Sequence, residues 1–61
     1  MRKYNYEIKA TFDMDGYIIT SIEKNPYGFT DEKSAYAAMG KAAAETVNSG
    51  HIIKSMRICL E

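Results

Sequence analysis

From Lys3 to Phe12 the chain alternates without a break: Tyr4, Tyr6, Ile8, Ala10 and Phe12 fall on one parity, Lys3, Asn5, Glu7, Lys9 and Thr11 on the other. A helix would scatter these apolar residues around its circumference, whereas a strand, with its period of two, gathers them onto one face. The segment is therefore a half-buried strand. It dictates what the rest of the chain must supply, namely neighbours to complete its hydrogen bonds and a cover for one face. Only 61 residues are there to do this. A chain of that size forms one small domain, 1–61, and buries about 60% of the surface its unfolded form exposes.

Residues 17–24 open with Tyr17-Ile18-Ile19-Thr20, a β-branched and aromatic run that favours a second strand. Asn25-Pro26-Tyr27-Gly28 then suits a turn with proline at its second position and glycine at its fourth, so the strand ends there. Thr30 reads as a helix N-cap, with Asp31 and Glu32 placing negative charge on the first turn, where the helix dipole favours it. The helix runs to about residue 48 and stops at Asn48-Ser49-Gly50. Tyr36, Met39, Ala43 and Val47 form its expected buried stripe. Its many small residues (Ala35, Ala37, Ala38, Gly40, Ala42, Ala43, Ala44) are read mainly as helix propensity, and secondarily as a means of close approach to a sheet. Residues 51–60 form a third strand, with Ile52, Met56, Ile58 and Leu60 facing the core and His51, Ile53, Ser55, Arg57 and Cys59 facing away.

The fold class is thus α+β, a β-β-α-β chain. If the helix covers one face and returns the chain to its starting end, strand three pairs antiparallel beside strand one. The expected architecture is a three-stranded antiparallel sheet of order 2-1-3 with one helix packed on one face. Both edge strands lack an internal proline, and such edges invite pairing with another chain.

The bend at Asp13-Met14-Asp15-Gly16 allows two registers. A two-residue Asp-Gly turn pairs Met14 with Tyr17 and Phe12 with Ile19, leaving Ile18 and Ile22 beside Lys9 and Thr11. A type I turn with Gly16 as a G1 bulge instead sets Phe12 against Ile18, Ala10 against Thr20 and Ile8 against Ile22. The second makes the core face continuous and sends Tyr17 and Ile19 outward, where Ile53 and Cys59 would join them. In either register strand two carries large apolar groups on both faces. One helix covers only one face, so the other asks for a partner.

Composition narrows the partner. Eight basic and eight acidic side chains cancel, leaving no overall field to hold nucleic acid or an anionic membrane. No apolar run approaches the roughly 20 residues that span a bilayer. Below about 70 residues, stability usually draws on disulfides, a structural metal or oligomerisation. Cys59 is the only cysteine and His51 the only histidine, so neither a disulfide nor a zinc-ligand cluster can be built within the chain. Oligomerisation is what is left, and a homodimer is expected. The single cysteine and a start, Met1-Arg2-Lys3-Tyr4, without the apolar core of a signal peptide point to the cytoplasm.

Catalytic inventory is thin. Phe12-Asp13-Met14-Asp15-Gly16 resembles the first motif of haloacid-dehalogenase-type phosphohydrolases, in which one aspartate attacks phosphorus and the second is the acid/base. That resemblance covers five residues, Tyr17 stands where Thr or Val is usual, and there is no room for the later βα units that complete such a site. Asp13 and Asp15 read instead as turn residues. An EF-hand loop would need further oxygen ligands and flanking helices. Eight strand residues, roughly 26 Å, separate His51 from Cys59, too far for a thiolate–imidazole pair. No catalytic residue, cofactor or metal is assigned.

Asp15-Gly16-Tyr17, Phe29-Thr30, the alanine-rich helix and Gly50-His51-Ile52-Ile53 together resemble the N-terminal domain of HicB-type antitoxins over about 45 residues. The segment before the helix, Asn25-Pro26-Tyr27-Gly28, departs from that family's Pro-Asp-x-Pro-Gly-like pattern, and the helix lacks its paired glutamates. The resemblance implies a non-catalytic module that oligomerises and neutralises a protein partner. The expected function is a homodimeric inhibitor or regulator of another protein, in the manner of antitoxins and small inhibitors encoded by mobile elements. Expected contact residues are Tyr17, Ile19, Tyr27, Phe29, Ile53 and Arg57, because exposed aromatics and arginine dominate binding energy once desolvated. The alternative is a nucleic-acid-binding protein that uses the open sheet face, with Lys3, Lys9 and Arg57 beside Tyr17 as a stacking platform.

Overall fold

The computed structural model describes residues 3–25 and 27–60. Strand β1 (Tyr4–Met14) is followed by β2 (Tyr17–Lys24), helix α1 (Glu32–Asn48) and β3 (Ile52–Leu60). The strands form one antiparallel sheet in the order β2-β1-β3, and α1 packs on one face of it. The expected α+β architecture and strand order are both present.

The hairpin takes the two-residue register. Met14 pairs with Tyr17, Phe12 with Ile19, Ala10 with Ser21 and Ile8 with Glu23. Asp15 at φ 53° and Gly16 at φ 88° are both left-handed, the requirement of the type I′ turn whose twist matches a hairpin. Asp13 fastens the turn, its Oδ1 accepting the Gly16 N–H at 3.0 Å. The bulged register is thereby corrected: Tyr17 and Ile19 lie on the helix side of the sheet, and Ile18 and Ile22 lie on the outer side. Continuity of the core face did not override the turn: α1 lies over β1 and β3, and among the described residues its hydrogen bond to β2 is that of Thr46 Oγ1, which donates to Glu23 Oε2 at 3.2 Å. Ile18 and Ile22 on the helix side would have been covered only in part, as Ile19 is.

A second parity change occurs in β3. Lys9 pairs with Ser55 but Ala10 pairs with Ile53, so Lys54 is an extra residue in a β-bulge. Beyond it the faces exchange. Ile53 turns inward against the core and Ile52 turns outward, the reverse of the expected assignment.

The core is small. Tyr6, Ile8 and Ala10 of β1 meet Ala35 and Ala42 of α1, with Phe29, Ala38, Met39, Ala43, Ile53 and Ile58 around them. Tyr36 and Val47 are exposed instead of buried, so the helix is rotated relative to its expected stripe, and Ala35, Ala38, Ala42 and Ala43 are its small residues on the buried side. Ala35 is wholly buried there. Close approach to the sheet is the use of Ala35, Ala38, Ala42 and Ala43, while Ala37, Gly40 and Ala44 are exposed.

The helix begins one residue later than expected. Asp31, not Thr30, is the N-cap: its side chain accepts from both the N–H and the Oγ of Ser34. That contact holds the Asp31 carboxyl below its ordinary pKa, with the hydroxyl the larger cause and the backbone N–H next. At the other end Gly50, at φ 88°, closes a Schellman motif in which Gly50 N–H donates to Val47 O and His51 N–H to Thr46 O.

The expected turn at 25–28 includes Pro26, which lies outside the described residues. Around it, Asn25 ends β2 by replacing strand with side chain: its Oδ1 accepts the Tyr6 N–H at 2.7 Å, and its Nδ2 donates to Asn5 Oδ1 and Tyr27 O. Phe29 then bridges to Tyr4 through both backbone bonds. Gly28 is needed for that approach, since a Cβ there would sit 2.6 Å from Lys3 Cβ.

Candidate functional site

The face of the sheet away from α1 divides into two halves. Toward the turn, Ile18 and Ile22 flank Thr20 on β2, Thr11 and Lys9 occupy the centre, and Ile52 closes the row on β3 beside Thr11. The three isoleucines are 69%, 60% and 63% exposed. At the other end charges pair across the strands. Glu7 lies between Lys24 and Arg57 in register and forms ion pairs with both, at 3.6 and 3.0 Å. The outcome is a half with exposed isoleucines on both edge strands and Thr11 and Lys9 of β1 between them, next to a charge-paired half.

The expected contact residues are dispersed. Tyr17 is exposed beside Met14 at the hairpin tip, and Ile19 is half-buried, both on the helix side. Ile53 and Phe29 pack against the core, and Tyr27 is exposed on the loop before α1. Arg57 alone of the six is on the outer face, held by Glu7. Tyr17 therefore does not share a face with Lys9 and Arg57, as the stacking platform required. The residues that do gather outside are Ile18, Ile22 and Ile52, and the signal for the first two was the Asp15-Gly16 pair itself.

Backbone orientation adds a further element. In a two-residue hairpin the pair flanking the turn exchanges both backbone bonds, as does every second pair after it. These are Met14 with Tyr17, Phe12 with Ile19, Ala10 with Ser21 and Ile8 with Glu23. The same edge of β1 continues past β2, where Tyr6 and Tyr4 bond to Asn25 and Phe29. Ile18, Thr20 and Ile22 accordingly turn their N–H and C=O groups away from β1, and no described residue pairs with them there. On the opposite edge of the sheet, the bulge at Lys54 interrupts the outward row of β3.

On the helix side, a shallow groove of about 250 Å³ runs between α1 and β2, lined by Ser21, Glu23, Glu45, Thr46, Ser49 and His51. Thr46 Oγ1 is shared between Glu23 and the Ala42 carbonyl, and Ser49 Oγ donates to the Glu45 carbonyl. The His51 ring rests on Phe12 with centroids 4.6 Å apart, and its Nδ1 is buried with no partner among the described residues. Burial first, then the Glu23 and Glu45 carboxylates, push the Tyr6 phenol above its ordinary pKa. Among the described residues no three His, Cys, Asp or Glu side chains converge on a point that could hold a metal ion. No helix among them is long and apolar enough to cross a membrane. Comparison with protein-family models, curated proteins and solved structures finds no match, so any functional reading rests on this chain's own geometry.

Proposed function

We propose that this chain is a small non-catalytic binding module, homodimeric, that acts as an inhibitor or regulator by covering part of another protein. One observation carries the reading: Ile18, Ile22 and Ile52, each more than half exposed, share the sheet face that α1 does not cover. Full burial of such a side chain is worth roughly 1.5–3 kcal/mol, so covering the exposed part of each contributes about 1–2 kcal/mol before the costs of association. Protein is favoured over nucleic acid because the cation Arg57 is already paired with Glu7 and, among the described residues, no aromatic side chain pairs beside Lys9 on that face. The test is capture from host lysate on the immobilised chain, with Ile52→Lys as comparison, since Ile52 is exposed and on the far strand from β2. A discrete protein retained by the wild type and lost by Ile52→Lys is expected. Equal capture by the two would overturn the assignment of this face.

A further inference from the structure

We infer that the homodimer forms by antiparallel pairing of β2 with β2 of a second copy, with Thr20 on the two-fold axis. This rests on the homodimeric reading above and names its edge and register.

The first ground is the backbone. Ile18, Thr20 and Ile22 present free N–H and C=O groups along the edge of β2, a template onto which another strand adds. The opposite edge is less able to accept one, since the bulge at Lys54 breaks the spacing of its outward groups. Helix α1 lies over β1 and β3, so it leaves the β2 edge clear.

The second ground is that β2 is self-complementary in one register. With Thr20 opposite Thr20 of the second copy, Ile18 falls opposite Ile22 on either side of the axis. All these pairs are of the kind that exchanges both backbone bonds. Cross-strand β-branched pairs stabilise a sheet, and here two Ile–Ile pairs stand on the outer face, one on either side of the central Thr20 pair. Sliding the strands by two residues in either direction sets Thr20 against an isoleucine and breaks both Ile–Ile pairs.

Charge supplies the third ground. In this register Lys24 of each copy lies across from the Asp15-Gly16 turn of the other, which bears the carboxylates of Asp13 and Asp15, and Tyr17 lies across from Glu23 on the helix side. Opposite charges therefore meet at both ends of the paired strands, and the phenol of Tyr17 faces an acceptor.

Cysteine cross-linking in a Cys59→Ser background reads the register directly. Residues directly opposite in such a pair have Cα atoms about 5.5 Å apart, within disulfide range, whereas like residues at position 22 are separated by four strand residues, roughly 13 Å. Under mild oxidation Thr20→Cys alone is expected to form a covalent dimer, and Ile22→Cys alone is not. An equimolar mixture of Ile18→Cys and Ile22→Cys is expected to cross-link. Linkage of Ile22→Cys alone as fast as Thr20→Cys would overturn the register, and absence of linkage in all three would overturn the edge. Thr20→Pro removes an N–H that points away from β1, a position where an edge strand tolerates proline. It is expected to weaken self-association at least about ten-fold in sedimentation at tens of micromolar while keeping the far-UV circular dichroism of the wild type. Self-association of a folded Thr20→Pro chain at wild-type strength would count against the proposal, and the cysteine series decides it should that variant not fold. These measurements need only the purified chain, so their failure is separable from failure of the capture experiment.

Discussion

Replacing Ile8 and Ile22 in turn by valine measures how the hairpin register partitions the core. The two residues are chemically identical and sit on adjacent strands, but Ile8 is 1% exposed and Ile22 60%. In the two-residue register Ile8 lies under α1 between Glu23 and Met56, and Ile22 lies outside beside Lys9. Ile→Val at a buried site costs about 0.5–1.5 kcal/mol, because the lost methylene leaves space the core fills only partly. At position 22 only about four-tenths of the side chain is covered, so the same methylene, worth about 0.8 kcal/mol when fully buried, costs roughly 0.3 kcal/mol. A chain of this length has a total stability of roughly 3–9 kcal/mol, so both variants remain folded. With a urea dependence of about 1 kcal/mol per molar for so small a domain, Ile8→Val lowers the unfolding midpoint by about 0.5–1.5 M and Ile22→Val by less than about 0.5 M. Far-UV circular dichroism in urea at two protein concentrations reads this while separating out self-association. Equal shifts for the two variants would mean that Ile22 is buried beside Ile8, and the register argued from Asp15 and Gly16 would be wrong.

Ala42→Leu inserts bulk where α1 meets Tyr6 and Ile8 and is expected to cost about 1–3 kcal/mol, while Ala44→Leu on the exposed side is expected to be near neutral. Equal melting temperatures for the two would refute the close approach of helix and sheet. The raised pKa of Tyr6 makes stability fall at alkaline pH: below about pH 10 both states hold the phenolic proton, and above it the unfolded chain releases the proton first. The stability is therefore fully present below the unfolded value and is lost as pH rises toward the folded one. Urea midpoints between about pH 8 and pH 11 should decline less steeply in Tyr6→Phe than in the wild type, and identical declines would show that Tyr6 titrates as it does in water.

Where one physical constraint acted alone, the sequence was readable. The alternation of Tyr4 to Phe12 could be satisfied only by a strand, and Gly50 only by a left-handed stop, so strand order and the helix C-terminus followed. Where two constraints competed, it was not. Tyr17, Ile18 and Ile19 are consecutive and apolar, so hydrophobicity accepts either parity of β2, and the backbone twist of Asp15-Gly16 decides. Ile52 and Ile53 are likewise adjacent, and a bulge one residue later exchanges them with no change in composition. On α1, hydrophobic weight pointed to Tyr36 and Val47, but contact with a sheet selects for small radius, and Ala35 and Ala42 took the inner positions. The expected contact residues inherited these parity choices, which is why Tyr17, Ile19 and Ile53 stand on the helix side.

Under the proposed β2 pairing, the extra residue in β3 would also limit how far assembly could run. A sheet with two open edges can add copies without end, since each addition exposes a fresh edge of the same kind. Here the two edges differ: β2 is regular, and β3 is broken at Lys54. A contact that uses one patch on both copies is closed by its own symmetry, and what remains outside is the irregular edge on each flank. Under the β2 pairing proposed above, the break at Lys54 would hinder the addition of further strands to either flank. A finite six-stranded object is what the same strands would form, in place of a fibre.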